Sequence, residues 1–332
     1  MPGSFITLPL SIKEKGVTVM SELKVIQYPC KFDNTLQNAQ CRISDSAEPR
    51  PLLVALHTWS YTYKDGCESY DILSSQLDYH LIFPHFRGPN WTPEGCGSDA
   101  VISDLEDAVA YMKSVCSVDE KRIYLMGGSG GGHASLLMAG RRPDLFTAIS
   151  AWCPISDVAR WHKESLVRYK NYAEHIEKAC GGDPAASEEA AFQARLRSPL
   201  TWLSNAANVC PVDIATGIHD GHKGSVPVGQ AIRAYNLLAA EEDRISEEDL
   251  IYIEERESVP PHLRYQGSDP AYGAIPIYLR KISNRVRLTI FEGGHDCLPG
   301  VGGEWLNRQA KGMKADFAPG TKDVSRVSQL TK

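Results

Sequence analysis

Short apolar runs alternate along this chain with stretches whose apolar residues recur every three or four positions. Six runs read as buried strands, at 52–57, 81–86, 122–126, 148–153, 212–217 and 286–291. Between them, helical spacing predicts helices over 99–115, 132–140, 227–240 and 303–311. The first is the clearest, with Val101, Ile102, Leu105, Val109 and Met112 falling on one face. Strand and helix in alternation imply βαβ units and a mostly parallel sheet with helices on both faces. Ahead of them, residues 22–43 alternate about a turn at Asp33-Asn34-Thr35, the pattern of an antiparallel hairpin at a sheet edge.

Two stretches interrupt the rhythm. Residues 155–208 carry no strand pattern, and residues 241–281 are acidic and then rich in Pro and Tyr. Both fall between sheet elements and read as insertions over one end of the sheet. The expected organisation is an N-terminal extension over 1–21, one α/β domain over 22–312, and a C-terminal tail over 313–332.

Composition narrows the class. Of 332 residues, 42% are hydrophobic and 23% charged, which suffices for an ordinary core. A net charge of -6 argues against a nucleic-acid footprint, which needs clustered Lys and Arg. The acidic run at 241–257 reads as a solvated face. No apolar run approaches the ~20 residues of a membrane helix, and the first residues lack the pattern of a secretory leader. The expectation is therefore a cytoplasmic protein with no membrane partner, or a secreted or periplasmic one if a leader has been removed. Nine cysteines without CxxC spacing read as reduced, mostly buried thiols rather than zinc ligands.

The sharpest chemical signal is Gly127-Gly128-Ser129-Gly130-Gly131, between an apolar strand and a helix. G-x-S-x-G in that context is a nucleophile elbow. A strand-to-helix turn this tight needs residues without Cβ, and it lifts the serine hydroxyl above the sheet. A phosphate loop fits poorly, because no Lys follows the glycines and no G-x-G-x-x-G spacing occurs. Serine needs a base, and the base needs an orienting acid. Asp220 follows the strand at 212–217, and His295 follows Gly293-Gly294 after the strand at 286–291. That is the order of nucleophile, acid and base in an α/β-hydrolase fold. Asp213 is the weaker candidate acid, and His219 and His222 read as polar residues of a surface turn. The Gly130 N–H supplies one oxyanion donor, and a backbone N–H at Trp59 or Ser60 the other. His57 reads as structural.

These segments resemble the catalytic domain of the prolyl oligopeptidase family. The matching features are His57-Thr58-Trp59 at a strand end, Phe86-Arg87-Gly88, the Gly127–Gly132 elbow, Gly217-Ile218-His219-Asp220 with Val226-Pro227, and Gly293-Gly294-His295. The resemblance runs over roughly 22–312 and implies a serine hydrolase with an acyl-enzyme intermediate. His57-Thr58-Trp59 departs from the family's His-Gly-Gly, and about two extra residues lie between Asp220 and Val226. The expectation is a hydrolase part with no propeller domain ahead of it, which disfavours the peptidase reading.

The favoured expectation is thus a carboxylic esterase acting on a small-molecule or polysaccharide ester, such as an acetyl or feruloyl ester of a plant polysaccharide. Tyr61, Arg87, Trp91, Trp152 and Trp161 would line its pocket, aromatic faces suiting sugars. A peptidase acting on short peptides is the alternative. A silent binding protein on the same fold is disfavoured by the filled triad positions. The chemistry needs no metal or organic cofactor, and a homodimer is left open.

Overall fold

The computed structural model describes residues 22–325. The expected extension over 1–21 lies outside the described residues. Nine strands form one sheet among them: β1 (Lys24–Pro29), β2 (Leu36–Arg42), β3 (Arg50–Leu56), β4 (His80–Pro84), β5 (Val118–Gly128), β6 (Ala148–Trp152), β7 (Val212–Gly217), β8 (Ile277–Ser283) and β9 (Val286–Phe291). Their order across the sheet is β1-β2-β4-β3-β5-β6-β7-β9-β8. The six strands from β4 to β9 in that order run parallel, and β1, β2 and β8 are antiparallel additions at the two edges. This is the expected α/β-hydrolase architecture, with the hairpin at its edge.

The helices are α1 (Glu68–Leu77), α2 (Asp99–Val115), α3 (Gly130–Arg141), α4 (Val158–Arg168), α5 (Lys170–Cys180), α6 (Glu188–Arg197), α7 (Val228–Leu238), α8 (Glu247–Arg256) and α9 (Pro299–Leu306). The central strands are buried on both faces. Along β3, Leu52, Val54 and Leu56 pack towards α2, α3 and α7, while Leu53 and Ala55 pack towards α1 and α9. Period-two alternation thus divides one apolar run between two cores. Helix α2 starts where the Ser98 side chain accepts the Val101 N–H, and it buries Val101, Leu105, Val109 and Met112. Each such side chain contributes about 1.5–3 kcal/mol by leaving water.

The structure departs from the pattern reading in three places. Strand β8 falls inside a stretch expected to hold none. It is an edge strand whose Tyr278 and Ile282 stay exposed, so its alternation is weak. Helix α1 had no sequence signal, burying only Tyr70, Leu73 and Ser74. The helix expected over 303–311 is α9 over Pro299–Leu306, where Phe317 stacks on Trp305, whose Nε1–H donates to the Asp316 carbonyl at 2.9 Å. The 155–208 insertion forms α4, α5 and α6, a helical cap with its own core around Trp161, Ile176 and Ala190. All nine cysteines are unpaired.

Candidate active site

Ser129 sits where β5 turns into α3, at φ 57° and ψ -118°. That conformation is costly for a residue with a Cβ, and the surroundings enforce it. The Ser129 N–H donates to the Trp152 carbonyl and its carbonyl accepts the His133 N–H. The flanking glycines are close-approach positions. A Cβ on Gly131 would lie 2.6 Å from the Leu56 carbonyl oxygen, and one on Gly132 2.6 Å from that of Trp152. A Cβ on Gly130 would lie 2.5 Å from the Trp59 backbone nitrogen, so the amides of Gly130 and Trp59 are neighbours beside the serine.

The Trp59 loop is clamped. Its carbonyl accepts both the backbone and side-chain N–H of Asn90, at 2.9 and 3.3 Å. His57 is buried and stacked on Phe86 at 4.0 Å, with its ring nitrogens on the Thr58 and His85 carbonyls. Burial pushes its pKa down to about 4, which suits a structural role.

Asp220 and His295 meet at the carboxyl ends of β7 and β9. The His295 Nδ1–H donates to Asp220 Oδ2 at 2.7 Å. The other carboxylate oxygen accepts the Gly221 and Val226 N–H groups, at 3.0 and 3.2 Å. His295 Nε2 is buried and has no hydrogen-bond partner. An imidazole held this way keeps its Nε2 lone pair for a proton. The His295 loop also overlies the elbow, because a Cβ on Gly128 would come 3.1 Å from the Cys297 Cβ. Asp213, the weaker acid candidate, is buried in an ion pair with Arg287 at 2.7 Å.

Several groups here carried no sequence signal. Gly224 packs against both Asp220 and His295. His219, expected as a simple surface residue, bridges two carboxylates: Nδ1 lies 2.6 Å from Glu257 and Nε2 3.1 Å from Glu292. The Glu257 carboxyl is held below its ordinary range by His219, and that of Glu292 by Tyr278 and then His219. Cys153, directly after β6, brings its Sγ within 4.8 Å of ligand atoms of Asp220 and His295.

The expected pocket residues do not converge. Arg87 turns away to pair with Asp33 and Asp104. Trp152 is fully buried against Tyr272 and Phe291. Trp161 lies 4.7 Å edge-on to Trp59, and both are inside the core of the cap. Trp91 packs at a tilt against His175 of α5, with ring centroids 4.7 Å apart. Ser60 is half-buried in the following turn. Tyr61 alone of the set is well exposed, and it lines a cavity of about 300 Å³ with His57, Thr58, Tyr70, Cys297 and Pro299. Larger cavities lie at the start of α2 and between α4 and α8 behind Asp220.

A sequence model of the prolyl oligopeptidase family matches residues 72–254, more than half of the chain. The chain belongs to the prolyl oligopeptidase family. Its topology is that of the α/β-hydrolase fold. Among solved structures, it is similar to the acylaminoacyl peptidase of Pyrococcus horikoshii, with TM-score 0.59 and 15% identity over 94% of this chain and 44% of that one. It is also similar to a puromycin-hydrolysing peptidase of Mycobacterium tuberculosis, with TM-score 0.53 and 17% identity over 70% of this chain and 36% of that one. The chain thus spans less than half the length of these structures. At such identities the likeness is one of fold. No curated protein matches the chain in sequence. Among the described residues, no helix of this family member is long and apolar enough to cross a membrane.

Proposed function

We propose that this chain is a serine peptidase that cleaves short peptides or acylated peptides through an acyl-enzyme. The observation that carries the chemistry is the His295–Asp220 hydrogen bond at 2.7 Å, with Asp220 fixed by two further amides and His295 Nε2 left unpartnered. In the proposed cycle Ser129 Oγ attacks the scissile carbonyl and His295 Nε2 takes its proton. Asp220 keeps the imidazole in the required tautomer and stabilises the imidazolium. The Gly130 and Trp59 N–H groups hold the oxyanion, each donor typically supplying about 3–4 kcal/mol. His295 then protonates the leaving amine. Water, deprotonated by the same imidazole, releases the acyl group.

Amide cleavage is favoured over the expected polysaccharide-ester cleavage for two reasons. The family and the similar solved structures are named for peptidases. The aromatic faces that argued for a sugar are also mostly spent on packing, since Trp59, Trp152 and Trp161 are each at most 2% exposed. The cavity beside Tyr61 is the candidate substrate subsite.

The test is hydrolysis of p-nitrophenyl acetate, methyl ferulate, acetylated xylan and an N-acylated peptide amide, by the wild type and Ser129→Ala. Turnover of the amide that is lost in the variant is expected. Turnover confined to ferulate or xylan would restore the esterase reading, and equal activity in both proteins would sink the Ser129 assignment.

A further inference from the structure

The proposed cycle makes no use of Cys153, yet its sulfur points into the pair that the cycle depends on. Cys153 Sγ, a carboxylate oxygen of Asp220 and an imidazole nitrogen of His295 all lie within 4.8 Å of one another. Among the described residues no other three His, Cys, Asp or Glu side chains converge this way. The three come from separate strand ends, after β6, β7 and β9, so only the assembled sheet brings them together. Cys153 takes up a left-handed backbone, φ 44°, immediately after Trp152. Its thiol has weak partners: it donates to the Asp296 carbonyl at 3.3 Å and accepts from Thr216 Oγ1 at 3.8 Å.

Sulfur, nitrogen and oxygen donors in one cluster form a zinc set. In a tetrahedral site with metal–ligand distances of about 2.0–2.3 Å, neighbouring donors stand roughly 3.3–3.7 Å apart. The present spacing needs only small side-chain adjustments to reach that. Cys153 and Asp220 are buried, while the His295 side chain is 24% exposed and gives the route in. Three protein donors leave a fourth position for water, the arrangement of an open site.

We infer that Cys153, Asp220 and His295 form an inhibitory site for a thiophilic divalent cation, Zn²⁺ being the best fit. Binding releases the thiol proton to solvent and forms a metal–thiolate bond, with no change of oxidation state. The metal takes one imidazole nitrogen. At Nε2 it occupies the lone pair that would accept the Ser129 proton; at Nδ1 it displaces the proton shared with Asp220. Either way His295 stops serving as a base, and activity returns when a chelator removes the ion. Burial and the neighbouring Asp220 charge hold the free thiol well above its ordinary pKa. The metal must therefore displace a firmly held proton, and Zn²⁺ is better suited to that than a hard cation such as Mg²⁺.

The inhibition half of this inference rests on the proposed hydrolase reading; the binding half does not. Co²⁺ titrated into chelator-washed full-length protein gives a sulfur-to-cobalt charge-transfer band when a thiolate ligates it. The band is expected in the wild type and in Ser129→Ala, and it should vanish in Cys153→Ala and on adding Zn²⁺. In activity assays, each variant normalised to its own metal-free rate, Cys153→Ala should lose sensitivity to Zn²⁺ by roughly tenfold or more, because even outer-shell changes at metal sites cost 10–100-fold. Cys153→Ser, which keeps the shape and a hard oxygen donor, should fall with Cys153→Ala in the cobalt assay. A cobalt band that survives in both Cys153 variants, no band in the wild type, or equal zinc inhibition of wild type and Cys153→Ala would each overturn the site. If the band behaves as expected but no substrate is found, the metal site stands and the hydrolase reading falls.

Discussion

Asp220 spends both of its oxygens: Oδ2 meets His295 Nδ1 at 2.7 Å, and Oδ1 is held by the Gly221 and Val226 amides. The two residues are 75 positions apart in the chain, and each rides on the turn that follows a parallel strand. The carboxylate therefore has no freedom to rotate away, and the imidazole is oriented by a group that is itself fixed. Two contacts from the cap brace the same loop. Trp161 Nε1–H donates to the Ser225 carbonyl at 2.8 Å, and the Arg168 guanidinium donates to the Gly221 carbonyl.

Replacing Asp220 by Asn keeps the shape and inverts the hydrogen bond. The amide would donate to Nδ1 and leave the proton on Nε2, where it blocks base catalysis. Asp220→Asn should lower kcat by about 10³–10⁴-fold with KM little changed. Steady-state kinetics on the best amide substrate decide this, and a loss smaller than about tenfold would remove Asp220 from the proposed role.

Gly224 leaves no room for a side chain. A Cβ there would fall on Asp220 Oδ1 and lie 2.5 Å from His295 Cβ. Gly224→Ala must push the Asp220 and His295 loops apart. It should cost about 1–3 kcal/mol of stability and lower kcat, because the Asp220–His295 distance opens. Urea denaturation and kinetics on the same preparation test both parts. Wild-type values in both would mean that the loop relaxes freely.

Glu164 offers a pH test away from the serine. Burial pushes its carboxyl up from 4.5 to about 7, against the pull of Gln230, which donates to it at 2.9 Å. The folded state binds this proton more tightly than the unfolded chain. Stability is therefore lost as pH rises from about 4.5 through 7, not gained. Glu164→Gln, neutral at every pH, should be more stable than the wild type by about 3 kcal/mol at pH 8 and nearly equal at pH 4. Thermal melts across that range check it; a benefit of the same size at both ends would assign the effect to packing.

What the sequence determined by itself was whatever local backbone demands impose. Strands β7 and β9 were legible to the residue, because a six-residue run rich in β-branched residues and bounded by turn residues is too short for a helix and fits a buried strand. Ser129, Asp220 and His295 were legible as candidates because an elbow needs glycines and each partner must follow a strand, in a chain order the fold dictates. The parallel sheet followed from the alternation of periods.

Side-chain direction was not legible. Trp59 and Trp152 stand at or after strand ends and Trp161 lies on α4, places where a ring can face either a pocket or a core. Packing against Tyr272, Phe291 and the cap helices sent all three inward. Arg87 left the site for Asp33 and Asp104, which precede and follow it by many residues. Strand β8 stayed hidden because an edge strand buries one side only, leaving an alternation too faint beside its Pro- and Tyr-rich approach. Convergence is likewise a property of the assembled sheet. Cys153, Asp220 and His295 come together because β6, β7 and β9 end at one level, and no spacing along the chain carries that information.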